Sequence, residues 1–235
     1  MNSVNQAVYV PNTTRYKFLS DVSANLPIVD VPSDANWRRW SMLHDGSDYR
    51  MYCFKGSTCD TLYQFAWDGN SYKYGHNSYP ELSITGIPDD ADTSSFSILY
   101  GEERHQLYFR QLGNPNKLYQ FFWDREAESY VPGPTLAVSG FPDDTDWSRW
   151  SMLNDGNDYR IYAFKLGSNN EFYQGAWTGS EYKYGHHSPI CEVLTLENIP
   201  PSSNLASMAM LHDGSEYRFY MQNLWESNMP PNPGN

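Results

Sequence analysis

Residues 37–78, WRRWSMLHDGSDYRMYCFKGSTCDTLYQFAWDGNSYKYGHNS, return without gaps 110 residues later as WSRWSMLNDGNDYRIYAFKLGSNNEFYQGAWTGSEYKYGHHS, residues 147–188. The copies are identical at 25 of 42 positions, so this is a repeat protein before it is anything else. A weaker copy, FSILYGEERHQLYF followed by KLYQFFWD, lies 56 residues after the first, and MLHDGSEYRFY is a fourth start at an offset of 168. Four units of about 55 residues organise the chain.

Each unit reads as a four-stranded antiparallel meander. SMLHDG ends in Asp45-Gly46, a tight-hairpin signal because glycine tolerates positive φ. DYRMYCFK follows, rich in aromatic rather than helix-forming residues, then the turn GSTCD, then TLYQFAW, Asp68-Gly69 and the returning NSYKYG. The second strand carries Tyr49, Met51 and Cys53 on one side and Tyr52 and Phe54 on the other. A strand apolar on both faces is sandwiched between layers, as propeller blades require.

Between units runs a repeated linker: VPSDANW at 31–37, IPDDADT at 87–93, FPDDTDW at 141–147 and IPPSSNL at 199–205. Proline stops the preceding strand and the Asp/Asn cluster caps a turn. The fourth unit breaks off after EYRFYMQNL, while AVYVPNTTRYKF at 7–18 matches the strand–turn–strand of FAWDGNSYKY. The N-terminal hairpin is therefore expected to complete the last unit, lying antiparallel to residues 216–223. The expected fold is all-β: one four-bladed β-propeller over residues 1–225, closed by a two-plus-two strand exchange. Blade 1 is placed at 31–81, blade 2 at 87–136, blade 3 at 141–192 and blade 4 at 199–225 with 7–20. The proline-rich residues 226–235 read as a flexible tail.

YQFAWDGNSYKY is similar to the Tyr-x-Phe-x-Gly-x-x-Tyr phrase of hemopexin-like repeats, and the architecture resembles that four-bladed family. Unit length differs, and no cysteine pair is placed to tie the first blade to the last. The resemblance implies the architecture and carries no functional residue.

The net charge of −12 and the pI near 4.8 come from scattered acids, a surface that repels phosphate backbones and anionic membranes. No apolar run approaches the roughly 20 residues of a membrane span. The start, MNSVNQAVYVPNTTRYKF, lacks a basic segment followed by an apolar one, so a cytoplasmic location is expected. Of three cysteines, Cys53 and Cys59 could bridge a hairpin, and three reduced thiols are the plainer reading.

Several constellations carry polar chemistry. Arg50, Arg160 and Arg218 recur in Tyr-Arg-x-Tyr, with Gln106 in the second unit; a ligand, a linker acid such as Asp34 or Asp144, or the face of a tyrosine that joins the blades is the expected partner. Trp67, Trp123 and Trp177 recur at the third strand's end, where blade packing is expected. The linker acids lack a calcium loop's length and terminal glutamate, so turn capping is expected. No side-chain pattern calls for a metal or cofactor, although inner-strand carbonyls could hold a channel cation without leaving a signature.

Catalytic signatures are missing from the sequence: no Gly-x-Ser-x-Gly elbow, no phosphate-cradling loop and no His-Glu-x-x-His. Repeated equivalent pockets suit multivalent binding instead. Units one and three, unlike the others, share Trp37/Trp147, Arg39/Arg149, Trp40/Trp150 and His76/His186. An aromatic, a guanidinium and an imidazole together offer stacking and hydrogen bonding, so these eight residues and the neighbouring linker acids are expected to line two equivalent ligand sites, in units one and three. Recent duplication of a two-blade half would produce the same pattern without function. The expected function is non-enzymatic, lectin-like recognition of a glycan or small polar ligand. The alternatives are a hemopexin-like protein-interaction scaffold and a small-molecule binder or enzyme at the channel mouth.

Overall fold

The computed structural model describes residues 2–18, 26–76, 79–186 and 193–223, and among these there is no helix. In chain order the first strands are β1 (Asn2–Tyr9), β2 (Arg15–Phe18), β3 (Leu26–Val29), β4 (Ala35–His44), β5 (Tyr49–Lys55), β6 (Thr61–Trp67), β7 (Tyr72–Tyr74) and β8 (Glu81–Ile84). Next come β9 (Ala91–Gly101), β10 (Arg104–Gln111), β11 (Asn114–Asp124) and β12 (Ser129–Ser139). The remainder are β13 (Thr145–Asn154), β14 (Tyr159–Lys165), β15 (Glu171–Trp177), β16 (Glu181–Tyr184), β17 (Val193–Glu197), β18 (Ala209–His212) and β19 (Tyr217–Gln222).

These strands pair as four antiparallel meanders. Units 1, 2 and 3 begin with β4, β9 and β13. Unit 4 joins both chain ends: β18 pairs with β19, and β19 pairs with β1 from Val4↔Gln222 to Val8↔Arg218. The first strands β4, β9, β13 and β18 pack on one another in a closed cycle. The fold is all-β and propeller-like.

The sequence suggests one outer strand per unit, but in units 1, 3 and 4 the outer strand is two pieces. Residues 65–67 of β6 pair with β7, whereas 61–63 pair with β8; β15 and β1 divide their partners in the same way. Each second piece also hydrogen-bonds, in parallel, to the first piece of the next unit: β8 to β12, β17 to β2 and β3 to β7, with the end of β12 joining β16. Consequently β8 runs past residue 81, and β3 and β17 lie beyond the expected limits at residues 20 and 192. The proline-rich tail at 226–235 and Cys191 fall outside the described residues.

Side chains alternate between the two neighbours of each unit and build four apolar clusters, one per junction. Trp40, Met42 and Met51 meet Leu211 and Tyr220 between units 4 and 1, while Phe54 meets Phe96 and Phe109 between units 1 and 2. A second-strand tyrosine in each unit faces an outer-strand tyrosine of the next. Tyr220 and Tyr72, Tyr108 and Tyr182, and Tyr162 and Tyr16 are hydrogen-bonded. Tyr52 and Tyr130, the pair between units 1 and 2, have buried hydroxyls without hydrogen-bond partners among the described residues.

The inner edges of the first strands are capped by serine. Ser41 Oγ accepts from the Ile98 N–H at 3.1 Å, Ser97 from Met152 at 2.8 Å and Ser151 from Met210 at 3.0 Å. Unit 4 has Ala209 at this position and so breaks the series. A narrow axial cavity of about 10 Å³, open at its mouth, runs between these strands, with His44, Tyr100, Asn154 and His212 at equivalent positions in its lining. Cys53 and Cys59 are free thiols, which removes the bridge considered from sequence.

Candidate functional site

The disc has two faces. The linker face carries the interunit linkers and the second-to-third-strand turns. The hairpin face carries the Asp-Gly turns, where Gly46 and Gly156 take φ of +91° and +89°, conformations open to glycine. These tight turns return the chain so that an arginine at the start of the second strand faces the aspartate five residues before it.

On the hairpin face, Arg50 Nε donates to Asp45 Oδ2 at 2.7 Å and Nη2 to Asp48 Oδ2 at 2.9 Å. Arg160 repeats this on Asp155 and Asp158, and Arg218 on Asp213 and Glu216. An aromatic residue of the following unit closes each pair. The Tyr49 hydroxyl donates to Asp213 at 2.9 Å and that of Tyr217 to Asp155 at 2.6 Å. His105 occupies the same place against Asp45, with Nε2 at 3.7 Å from Oδ2. The arginines thus take hairpin acids rather than linker acids, while Arg160 and Arg218 also lie over Tyr217 and Tyr49 of the next unit at 5.6 and 5.8 Å, the tyrosine contact that the sequence also suggests. Asp34, Asp90 and Asp144 instead accept the hydroxyls of Tyr63, Tyr119 and Tyr173.

The electrostatics follow from that geometry. Burial pushes the Asp155 carboxyl up, but the Tyr217 hydroxyl, the Asp158 and Asn157 amides and Arg160 outweigh it, leaving the carboxyl below its ordinary value. Asp45 and Asp213 are held lower still by the equivalent donors, again against the opposing effect of burial. Burial, and then donation to Asp213, push the Tyr49 phenol up to about 12. These aspartates remain ionised and the tyrosines neutral throughout the physiological range.

At each junction stands a half-buried aromatic from the end of the third strand. Trp67, Trp123, Trp177 and Tyr9 lean on Tyr72, Tyr130, Tyr182 and Tyr16 with ring centroids 5.1, 5.3, 5.0 and 5.3 Å apart. Three junctions therefore combine a carboxylate–guanidinium pair with a partly open aromatic surface. The junction between units 2 and 3 differs. Gly101 replaces the aspartate, a Cβ there would collide with the Tyr159 ring, and Gln106 turns inward to the Gly101 carbonyl at 2.8 Å.

In neither unit do the four residues expected from sequence meet in an open site. Trp37 is 5 % exposed and packs on Phe65 at 5.0 Å. Trp40 and Trp150 are each 3 % exposed and donate their indole N–H to Ser207 and Ser95 of the preceding units, both at 2.8 Å. Arg39 lies over Phe54 and donates to the carbonyls of Gly56, Thr58 and Thr93; Arg149 lies over Phe164 and binds Asp146, Ser168 O and Leu205 O. These six residues, half-buried Trp147 included, belong to the packing and struts of the inner strands and linker face. His76 and His186 follow β7 and β16 on the outside, each with its backbone N–H on a lysine carbonyl. First-strand aromatics are consumed by packing because that strand is enclosed by neighbouring units. The sequence signal for the clamps is Asp-Gly-x-Asp/Glu-Tyr-Arg, present three times, which joins Asp45 to Arg50 across a two-residue turn and sends the Tyr49 hydroxyl to Asp213 of the preceding unit.

No protein-family model and no curated protein matches the chain. Among solved structures it is similar to a mutant of the Aleuria aurantia lectin in complex with alpha-methyl-L-fucoside, at 14% identity over 83% of this chain and 55% of that one, with a TM-score of 0.35. A second Aleuria aurantia structure, described as a six-bladed β-propeller with a novel fucose recognition mode, gives 17% identity over 78% and 54% and a TM-score of 0.34. AofleA from Arthrobotrys oligospora gives 13% identity over 77% and 49%, with a TM-score of 0.35. The chain spans about half the length of these structures.

Proposed function

We propose that the chain is a four-bladed β-propeller that binds carbohydrate, in the manner of a lectin, through clefts between neighbouring blades on the hairpin face. Each blade is one of the four meanders, and blade 4 is shared by the two chain ends. The observation that carries this reading is the recurrence of a half-buried guanidinium–carboxylate pair beside a half-buried aromatic at three of four junctions. Sugars are amphipathic: C–H faces stack on aromatic rings while vicinal hydroxyls pair with fixed charged groups.

Arg50 and Arg160 spend Nε and Nη2 within their clamps, and Nη1 of each has no acceptor among the described residues. Asp158, with its side chain 24% exposed, offers an acceptor beside Arg160. Each clamp sets two carboxylates against one guanidinium, which favours neutral over anionic sugars. Several weak sites on one disc would act through avidity.

The axial cavity supports the channel-mouth reading less well, because its volume of about 10 Å³ holds little more than a water, against the several hundred typical of ligand pockets. Leu112 and Leu166, 56% and 64% exposed at turns on the linker face, favour protein contact as a second role for that surface.

The test is a glycan array followed by calorimetry with the best neutral glycan. Trp67→Ala and Trp123→Ala should each lower stoichiometry by one site, and the double variant by two. Undiminished stoichiometry in a folded double variant would remove the clefts from the reading.

A further inference from the structure

On the linker face, three arginines make the same contact across successive junctions. Arg39 Nη1 donates to the Thr93 carbonyl at 3.2 Å, Arg110 Nη1 to that of Trp147 at 3.0 Å and Arg149 Nη1 to that of Leu205 at 3.2 Å. Thr93, Trp147 and Leu205 hold one repeat position, at the entry of the next unit. Arg39 and Arg149 come from first strands. Arg110 comes from a second strand, where units 1 and 3 have Phe54 and Phe164, and unit 2 has Ser95 in place of the first-strand arginine.

That change of origin leaves Arg110 poorly matched. Arg39 spends its other donors on Gly56 O, Thr58 O and Cys59 Sγ, and Arg149 on Asp146 and Ser168 O. Arg110 is 9% exposed, its Nε is buried without an acceptor, and no second hydrogen bond or ion pair is formed among the described residues. The Trp147 ring covers the guanidinium at 4.9 Å. Burial pulls the guanidinium down to about 10, against the more distant attraction of Asp92 and Asp146. Neither acid can easily turn to it: Asp146 holds Arg149 Nε at 2.7 Å, and Asp92 accepts the Ser94 amide at 3.0 Å and its hydroxyl.

In Arg50, Arg149, Arg160 and Arg218, an aspartate lies on Nε and another acceptor on Nη2 or, for Arg218, the same aspartate. In Arg110 this edge is vacant. A planar carboxylate matches the Nε–Nη2 edge with two parallel hydrogen bonds, and a buried guanidinium gains more from such a partner than an exposed one. We propose that Arg110 is the anchor of a second ligand site, between units 2 and 3 on the linker face, for a small carboxylate, either free or as the carboxyl of an acidic sugar. Partly buried Trp147 forms the lip, and its ring would have to turn aside from Phe141 for the ligand to reach the buried Nε. The site lies on the face opposite the carbohydrate clefts and stands independently of them.

Thermal melts of wild type and Arg110→Gln in sodium chloride, acetate and glucuronate at one ionic strength test the site. They are joined by NMR titration of the wild-type Arg110 Nε–H with acetate and glucuronate. The expected result is a saturable shift of that resonance, with a melting temperature a few degrees higher in carboxylate than in chloride for wild type only. Glucuronate exceeding acetate assigns the acidic sugar; equal or weaker action assigns the free carboxylate. No saturable shift with either anion, or equal stabilisation of Arg110→Gln, overturns the proposal. The wild-type titration decides the matter even where the variant does not fold.

Discussion

The Phe141 ring fills the space into which a side chain on Gly175 would project: a Cβ there would lie 2.8 Å from Phe141 Cζ. Unit 1 has the reverse arrangement, Val31 in the linker and Phe65 on the third strand. The linker tryptophan keeps an aromatic neighbour either way, Trp37 on Phe65 at 5.0 Å and Trp147 on Phe141 at 4.9 Å. Gly175→Phe alone should cost about 3 kcal/mol by overpacking and Phe141→Val about 2 kcal/mol by leaving a void. The double variant reproduces unit 1, so urea unfolding should reveal a favourable coupling of about 2 kcal/mol. Simple additivity would show that the two sites do not share one space.

The clamps should set how stability depends on acid. Asp155→Asn leaves Arg160 without its main partner and is expected to cost about 3 kcal/mol at pH 7. The folded Asp155 carboxyl titrates below its unfolded value. Its contribution is thus complete above about pH 4 and is lost as pH falls through the folded value. Urea curves at pH 7, 5 and 3 should show the gap between wild type and Asp155→Asn holding at first and then narrowing. A gap that widens in acid contradicts this assignment.

The paired and unpaired tyrosines make opposite predictions. Tyr162 is hydrogen-bonded to Tyr16, so Tyr162→Phe should destabilise by about 1 kcal/mol. Tyr52 is equally buried and its hydroxyl has no partner among the described residues, so Tyr52→Phe should be neutral or stabilising. Chemical unfolding of the two variants decides between them, and a comparable loss from Tyr52→Phe would reveal a partner for its hydroxyl.

Deleting residues 1–18 removes β1 and β2 and exposes β19 along its length. The loss should approach the whole stability of a domain, about 5–15 kcal/mol, so the truncated chain should show no cooperative melt by circular dichroism. Melting like that of the full chain would mean the other units do not need closure.

The repeat, the meanders and the glycine turns can be read in the sequence because each depends on neighbours close along the chain. The pairing of β1 with β19 is also legible, since the two half-units complement each other. The fate of the tryptophans is not. Trp40 and Trp150 resemble ligand groups until Ser207 and Ser95, from other units, are seen to take their indole hydrogens. Arg50 misleads for the opposite reason: its partner, Asp45, is only five residues away, and a distant linker acid draws attention first. The broken outer strand escapes a reading confined to one unit because pieces such as β8 bond both to their own unit and to the next.

Those parallel bridges at the rim have a consequence for how the molecule meets other chains. A sheet usually ends in a strand with unsatisfied amides and carbonyls, an invitation to any passing extended segment. Here the rim strand of each meander spends part of that edge on the adjacent meander. So aromatic-rich a sequence, cut into short strands, would be a hazard as an open sheet. Drawn into a belt, it leaves little backbone on which a foreign strand could grow, and recognition falls to side chains on the two faces of the disc.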